Sequence, residues 1–150
     1  MSEYFPWQVA RILHAGQVDK AGRPYFEHVE QVARLLLDQP EYVALSRFEA
    51  QHAYEAAWLH DVLEDTSMTD AGLLELNFSQ RTVDIVVLLT RMKAVPSVDY
   101  YARIRMDLAA RAVKLADIAS NASPERLALL DESTRNRLIR KYAEAREALL

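Results

Sequence analysis

Residues 56–66, "AAWLHDVLEDT", set a histidine and three carboxylates into an otherwise apolar run: His60, Asp61, Glu64 and Asp65. Read as a helix, the segment puts residues three and four apart on one face, so these four form a single polar strip. Ala56, Ala57, Trp58, Leu59, Val62 and Leu63 cover the rest, and a helix apolar nearly all round belongs in an interior. Burying ionisable groups costs on the order of several kcal/mol each unless something compensates. Three carboxylates on one strip also repel one another. A divalent metal held by neutral imidazole and carboxylate answers both problems. The plainer alternative is a partly exposed acidic helix end.

Two further stretches bear on that choice. "PYFEHVEQVA" places His28 four residues after Pro24, early in another helix, and "RAVKLADIASN" places Lys114, Asp117 and Asn121 on one stripe at spacings of three and four. Alone, His28 reads as a helix-start histidine and Lys114–Asp117 as an ordinary ion pair. Taken with His60 and Asp61, they supply two imidazoles and two carboxylates from three helices, a first shell with positions left for water. The chain has no cysteine, so a thiolate metal site and disulfides are excluded.

The elements that must position these residues read as helices throughout, because only three glycines and five prolines occur and apolar residues recur at helical spacing. A first helix is expected from Pro6 to Ala15, with Val9, Ile12 and Leu13 inward and Gly16 as its stop. A second opens near Pro24 with Phe26, Val29, Ala33 and Leu36 inward. Ser46 and Glu49 form a capping-box pattern before the third, which carries the opening motif. Thr69 caps a short fourth. Ser79 precedes a fifth through "RTVDIVVLLT", whose valines permit a strand that has no partner strand to join. Asp99 and Asp107 are candidate caps for two segments ending near Asn121. Ser123-Pro124-Glu125 starts a short helix, and Ser133 the last one, whose Leu138, Tyr142 and Leu149 dock on the core. No repeat, low-complexity tract or linker appears, so residues 1–150 are expected to form one all-α domain.

Composition narrows the classes further. With 51% hydrophobic and 27% charged residues the chain is that of a soluble globular protein. A net charge of −4 with no basic face argues against nucleic acid as a partner. The longest apolar run is too short to span a bilayer, and the N-terminus lacks the pattern of a secretory signal. A cytoplasmic location is expected, with homo-oligomerisation left open.

The order His28, His60-Asp61, Asp117 resembles the H…HD…D signature of the HD-domain metal-dependent phosphohydrolases. The finer resemblance, from about His14 to Asn121, is to the hydrolase domain of the RelA/SpoT alarmone enzymes and the stand-alone small alarmone hydrolases. It is carried by "HAGQVDKAGRPYFEH", "AAWLHDVLEDT", "LLTR" followed by "YYARI", and "VKLADIASN". The resemblance implies a helical HD bundle with the metal between helices, and His28, His60, Asp61 and Asp117 holding one ion, manganese in the family. It implies that Glu64 and Asp65 assist the attacking water, that Asn121 lies near the substrate ribose and phosphate, and that Lys20 and Tyr25 belong to a nucleotide-facing loop. With no synthetase domain after the hydrolase region, it implies degradation only. Asp19 stands where the family usually has a basic residue that packs on guanine, and Ser120 where a histidine commonly precedes the asparagine. Ala21 and Val29 also depart from the usual pattern.

The expected activity is (p)ppGpp 3′-pyrophosphohydrolysis, with Lys20, Lys114, Arg91 and Arg105 as candidate partners of substrate phosphates. For Arg91 and Arg105 a solvated charge or an ion pair is the equal alternative. His14 is expected to pack at the end of the first helix. Two other readings stay open: an HD phosphohydrolase acting on another nucleotide, and a catalytically silent nucleotide-binding HD module.

Overall fold

The computed structural model describes residues 3–150, and its regular structure is helical. In chain order the helices are α1 (Pro6–Leu13), α2 (Tyr25–Leu36), α3 (Pro40–Val43), α4 (Arg47–Leu59), α5 (Val62–Asp65), α6 (Asp70–Glu75), α7 (Gln80–Leu89), α8 (Ser97–Arg105), α9 (Leu108–Asn121), α10 (Pro124–Leu127) and α11 (Glu132–Leu149). A single antiparallel bridge, Val18 to Pro24, closes the loop before α2 among the described residues. None of the described helices is long and apolar enough to cross a membrane.

α9 is the axis of the bundle: nine of its fourteen residues are buried, five of them alanine or valine. Small residues let neighbouring backbones approach closely, and α4 answers with Ala53, Ala56 and Ala57. α2 presents Val29, Val32, Ala33 and Leu36 to the same core. α7 buries Val83, Ile85, Val86 and Leu89 as a helix, which settles the strand ambiguity of its sequence. α11 docks through Leu138 and Leu149, with Tyr142 half-buried beside them.

Side-chain caps fix five of the eleven described helix starts. Thr69, Ser79 and Asp107 accept from the backbone N–H groups of Gly72, Thr82 and Ala110, as their sequence positions predict. Five expectations need correction. Ser46 accepts from the Glu49 N–H, but the Glu49 carboxylate turns to Arg81 instead of completing the capping box. Asp99 lies in the first turn of α8 behind Pro96, and Asp131, not Ser133, caps α11 through the Thr134 N–H. Ile12 is 73% exposed, because α1 turns Val9 and Ala10 inward. Finally, the motif helix is not continuous: α4 ends at Leu59, Asp61 leaves helical geometry (φ −107°, ψ 0°), and the short α5 follows.

Candidate metal and phosphate site

The break after Leu59 sets the geometry of the site. Ala57 lies in the last turn of α4, where carbonyls lack helical partners. His60 fills the gap, its Nδ1 donating to the Ala57 carbonyl at 2.7 Å. A carbonyl only accepts, so Nδ1 carries the hydrogen and Nε2 of the neutral ring carries a lone pair. That Nε2 stands 2.9 Å from Asp61 Oδ2 and 3.5 Å from Asp117 Oδ1, and makes no hydrogen bond of its own.

His28 repeats the arrangement from α2. Its Nδ1 lies 2.9 Å from Ser120 Oγ, and the Ser120 hydroxyl donates to Gln31 Oε1 at 2.7 Å. With the serine proton committed to Gln31, the imidazole must donate, and His28 Nε2 is left as an acceptor. It points at Asp117 Oδ1, 3.1 Å away, with Asp61 Oδ2 at 3.9 Å. Two imidazole lone pairs and two carboxylates therefore face one another in a buried place, since His28, His60 and Asp117 are 1%, 3% and 7% exposed. Acceptor facing acceptor is repulsive without intervening positive charge. One ligand atom each of His28, His60 and Asp61 lies within 4.8 Å of the others, a spacing that can hold a metal ion.

The titration behaviour tells the same story through protons. Burial opposes charge on His60, but Asp61 and Asp117 outweigh it and hold its pKa well above the ordinary histidine range. Burial likewise opposes ionisation of Asp61 and Asp117. It is outweighed for Asp61 by His60, and for Asp117 chiefly by Lys114, so both stay below the ordinary aspartate range. A proton and a divalent cation compete for one position. The donor set, imidazole nitrogen plus carboxylate oxygen, suits a hard-to-borderline divalent ion.

Around this floor, Asp117 Oδ2 pairs with Lys114 Nζ at 2.9 Å and Oδ1 accepts from Asn121 Nδ2 at 3.1 Å. The Tyr25 hydroxyl donates to Asp61 Oδ2, and its ring is wedged between those of His14 and His28, with centroids at 5.1 and 5.4 Å. His14 does not join the metal cluster: its Nδ1 bonds Gln17 Oε1, and Gln17 Nε2 donates to the Asp65 carbonyl. Glu64 Oε1 accepts from the Arg91 backbone N–H at 2.7 Å. Burial raises the Glu64 pKa, the Arg91 N–H partly offsets this, and Asp61 and Asp65 raise it again. Burial and the Asp61 charge raise that of Asp65.

These groups line a polar cavity of about 430 Å³ that holds Tyr25, Asp61, Glu64, Asp65, Arg91, Lys114, Asp117 and Asn121, together with Lys141 and Tyr142. A larger cavity of about 720 Å³ adjoins it, sharing Tyr25, Asn121 and Tyr142, and takes in Asp19, Lys20 and Arg126. Thus nine of the twelve residues singled out in the sequence line two adjoining cavities, and two more, His28 and His60, lie buried against Asp61 and Asp117. Arg105 is the exception, exposed at the end of α8 and lining neither. Arg91 lines the polar cavity, but its guanidinium is committed to the Met92 and Val95 carbonyls and to Ser97 Oγ. It braces the loop that holds Glu64. Sequence reasoning missed Lys141, Tyr142 and Arg126; only the inward spacing of Leu138, Tyr142 and Leu149 hinted that α11 reaches the site.

Residues 6–148 match the family model of the HD domain. The chain belongs to the HD-domain family. Over 78 residues this HD domain is 35% identical to the guanosine-3′,5′-bis(diphosphate) 3′-pyrophosphohydrolase of Vibrio cholerae serotype O1, a stretch of 52% of this chain and 10% of that protein. The matched stretch thus spans about a tenth of the length of that curated relative. Its fold is shared with a solved metazoan ortholog of SpoT that hydrolyses ppGpp and plays a role in starvation responses. The TM-score is 0.72 at 22% identity, over 96% of this chain and 83% of that one.

Proposed function

We propose that this HD domain, residues 1–150 acting as one unit, is a metal-dependent (p)ppGpp 3′-pyrophosphohydrolase. The observation that carries the reading is the convergence of two imidazole lone pairs and two carboxylates at the floor of a polar cavity that also holds Glu64 and two lysines. His28, His60, Asp61 and Asp117 hold one divalent ion, manganese by resemblance to the alarmone hydrolases. When bound, such an ion supplies Lewis acidity and neutralises charge on phosphoryl oxygens.

The chain's own residues do the rest. Glu64, with its pKa raised and its carboxylate held by the Arg91 N–H, takes the proton from the attacking water, and Asp65 helps orient it. Water adds to the phosphorus on the 3′ oxygen, the bond from that phosphorus to the 3′ oxygen breaks, pyrophosphate leaves and the 3′ oxygen gains a proton. Lys114 and Lys141 meet the phosphates in the polar cavity. Asn121, fixed by Asp117, stands where the two cavities meet and holds the ribose end.

Manganese-loaded protein assayed against a panel of nucleotides tests this. Pyrophosphate release from guanosine 3′,5′-bis(diphosphate), abolished in Asp61→Ala, is the expected result. Turnover of a nucleoside monophosphate with no pyrophosphate from the tetraphosphate overturns it.

A further inference from the structure

Asp19 stands where the resembled alarmone hydrolases usually have a basic residue, and its surroundings give it a different task. Its carboxylate is 8% exposed. Oδ1 accepts from the backbone N–H groups of Ala21 and Arg23, both at 2.9 Å, which folds the loop that the Val18–Pro24 bridge closes. Oδ2 pairs at 3.2 Å with Nη1 of Arg126, brought in from α10. The Asp19 charge is therefore spent inside the protein, and a guanidinium takes its place in the cavity wall, 21% exposed.

We infer that Arg126, held by Asp19, selects the base of the bound nucleotide and favours a purine with an oxygen at position 6. The inference rests on the proposed function, which puts the phosphates in the polar cavity. The rest of the nucleotide then extends past Tyr25, Asn121 and Tyr142 into the larger cavity. There Leu129, Leu130 and Leu138 offer apolar surface for a flat ring. Arg126 suits a base better than a phosphate because Asp19 cancels its charge. Uncompensated attraction for phosphate lies instead with Lys20, whose pKa is lowered by burial and then by the nearby charges of Arg137 and Lys141. A guanidinium has five donors in a rigid fork; the Asp19 carboxylate holds it from the Nη1 side, leaving donors for the ring edge. Guanine and hypoxanthine present two acceptors there, O6 and N7, whereas adenine presents an amino group that meets donor with donor.

Calorimetric binding of GDP, IDP and ADP to the manganese-loaded wild type, Arg126→Met and Arg126→Lys tests the assignment, beside pyrophosphate release from the guanosine and adenosine 3′,5′-bis(diphosphates). The wild type should bind GDP and IDP about tenfold or more tighter than ADP, the scale of one bidentate base contact. Arg126→Met should bring both down to the ADP level and leave ADP within about twofold. Arg126→Lys, which keeps the charge and a partner for Asp19 but not the fork, should lose most of the preference while melting like wild type. Equal weakening of all three ligands in Arg126→Met, or a wild type that does not separate GDP from ADP, overturns the inference. So does IDP behaving like ADP. A base preference that follows Arg126 without any pyrophosphate release refutes the proposed activity and leaves the assignment standing. Release without base preference does the reverse.

Discussion

A histidine presents a lone pair to a cation only if its other nitrogen is held as a donor. For His60 the holder is a backbone carbonyl, which mutation cannot remove; for His28 it is Ser120, backed by Gln31. Ser120 is fully buried, so Ser120→Ala leaves the His28 Nδ1–H without an acceptor. Loss of such an outer partner weakens metal affinity by about 10–100-fold. Chelator competition should register that drop, and nitrogen NMR of His28 should show mixed tautomers, which a purely structural defect would not produce. Unchanged affinity with one tautomer would refute the positioning role. Glu64 is a different case, anchored by Arg91 and outside the cluster of ligands. Glu64→Gln keeps the shape but cannot accept a proton, so it should retain metal and lose on the order of 100-fold or more in turnover. Metal loss in that variant would make Glu64 a ligand.

At the scale of helices, the site exists because α4 stops. A continuous helix would engage the Ala57 carbonyl with the Asp61 N–H; breaking there hands that carbonyl to the His60 ring and turns Asp61 toward His60 and His28. The start of α9, which carries Asp117, is fixed at the opposite end by Asp107. This residue caps the helix through the Ala110 N–H and takes both arms of Arg81, at 2.8 and 3.0 Å. Burial raises the Asp107 pKa, but the hydrogen bonds from Arg81 and Ala110 outweigh it and hold it below the ordinary 3.8. The stability this provides is complete above 3.8 and disappears as pH falls through the lower folded value. Asp107→Asn, which can still cap, should cost about 1 kcal/mol at pH 7, as a partly exposed bidentate pair does. Urea unfolding should show that difference shrinking toward pH 3. A gap that stays constant with pH would mean the carboxylate charge contributes nothing.

Across the whole molecule, the ligands come from α2, from the junction of α4 and α5, and from α9, all in one core. A cation there ties these segments together and removes the repulsion among their acceptors. A ligand at 100 times its dissociation constant stabilises by about 2.7 kcal/mol, or roughly 5–10 °C in Tm for a chain of this size. Manganese should raise the Tm of the wild type by about that amount and that of Asp61→Ala or Asp117→Ala not at all. An equal rise in the variants would remove those carboxylates from the metal site.

Helical periodicity was enough to place Lys114, Asp117 and Asn121 on one stripe of α9, and cap chemistry enough to start three helices at Thr69, Ser79 and Asp107. Both are local properties, set by rise per residue and by which side chains reach a free N–H. The same arithmetic read His60 through Asp65 as one unbroken face and turned Ile12 inward. It failed there because a helix ends, or rotates, where packing and a carbonyl–imidazole bond outweigh local propensity. The pairing of His28 with Ser120, 92 positions away, the arrival of Lys141 and Arg126, and the burial of Asp19 have no local signature. Contacts between distant segments depend on how helices cross, and only the assembled core decides that.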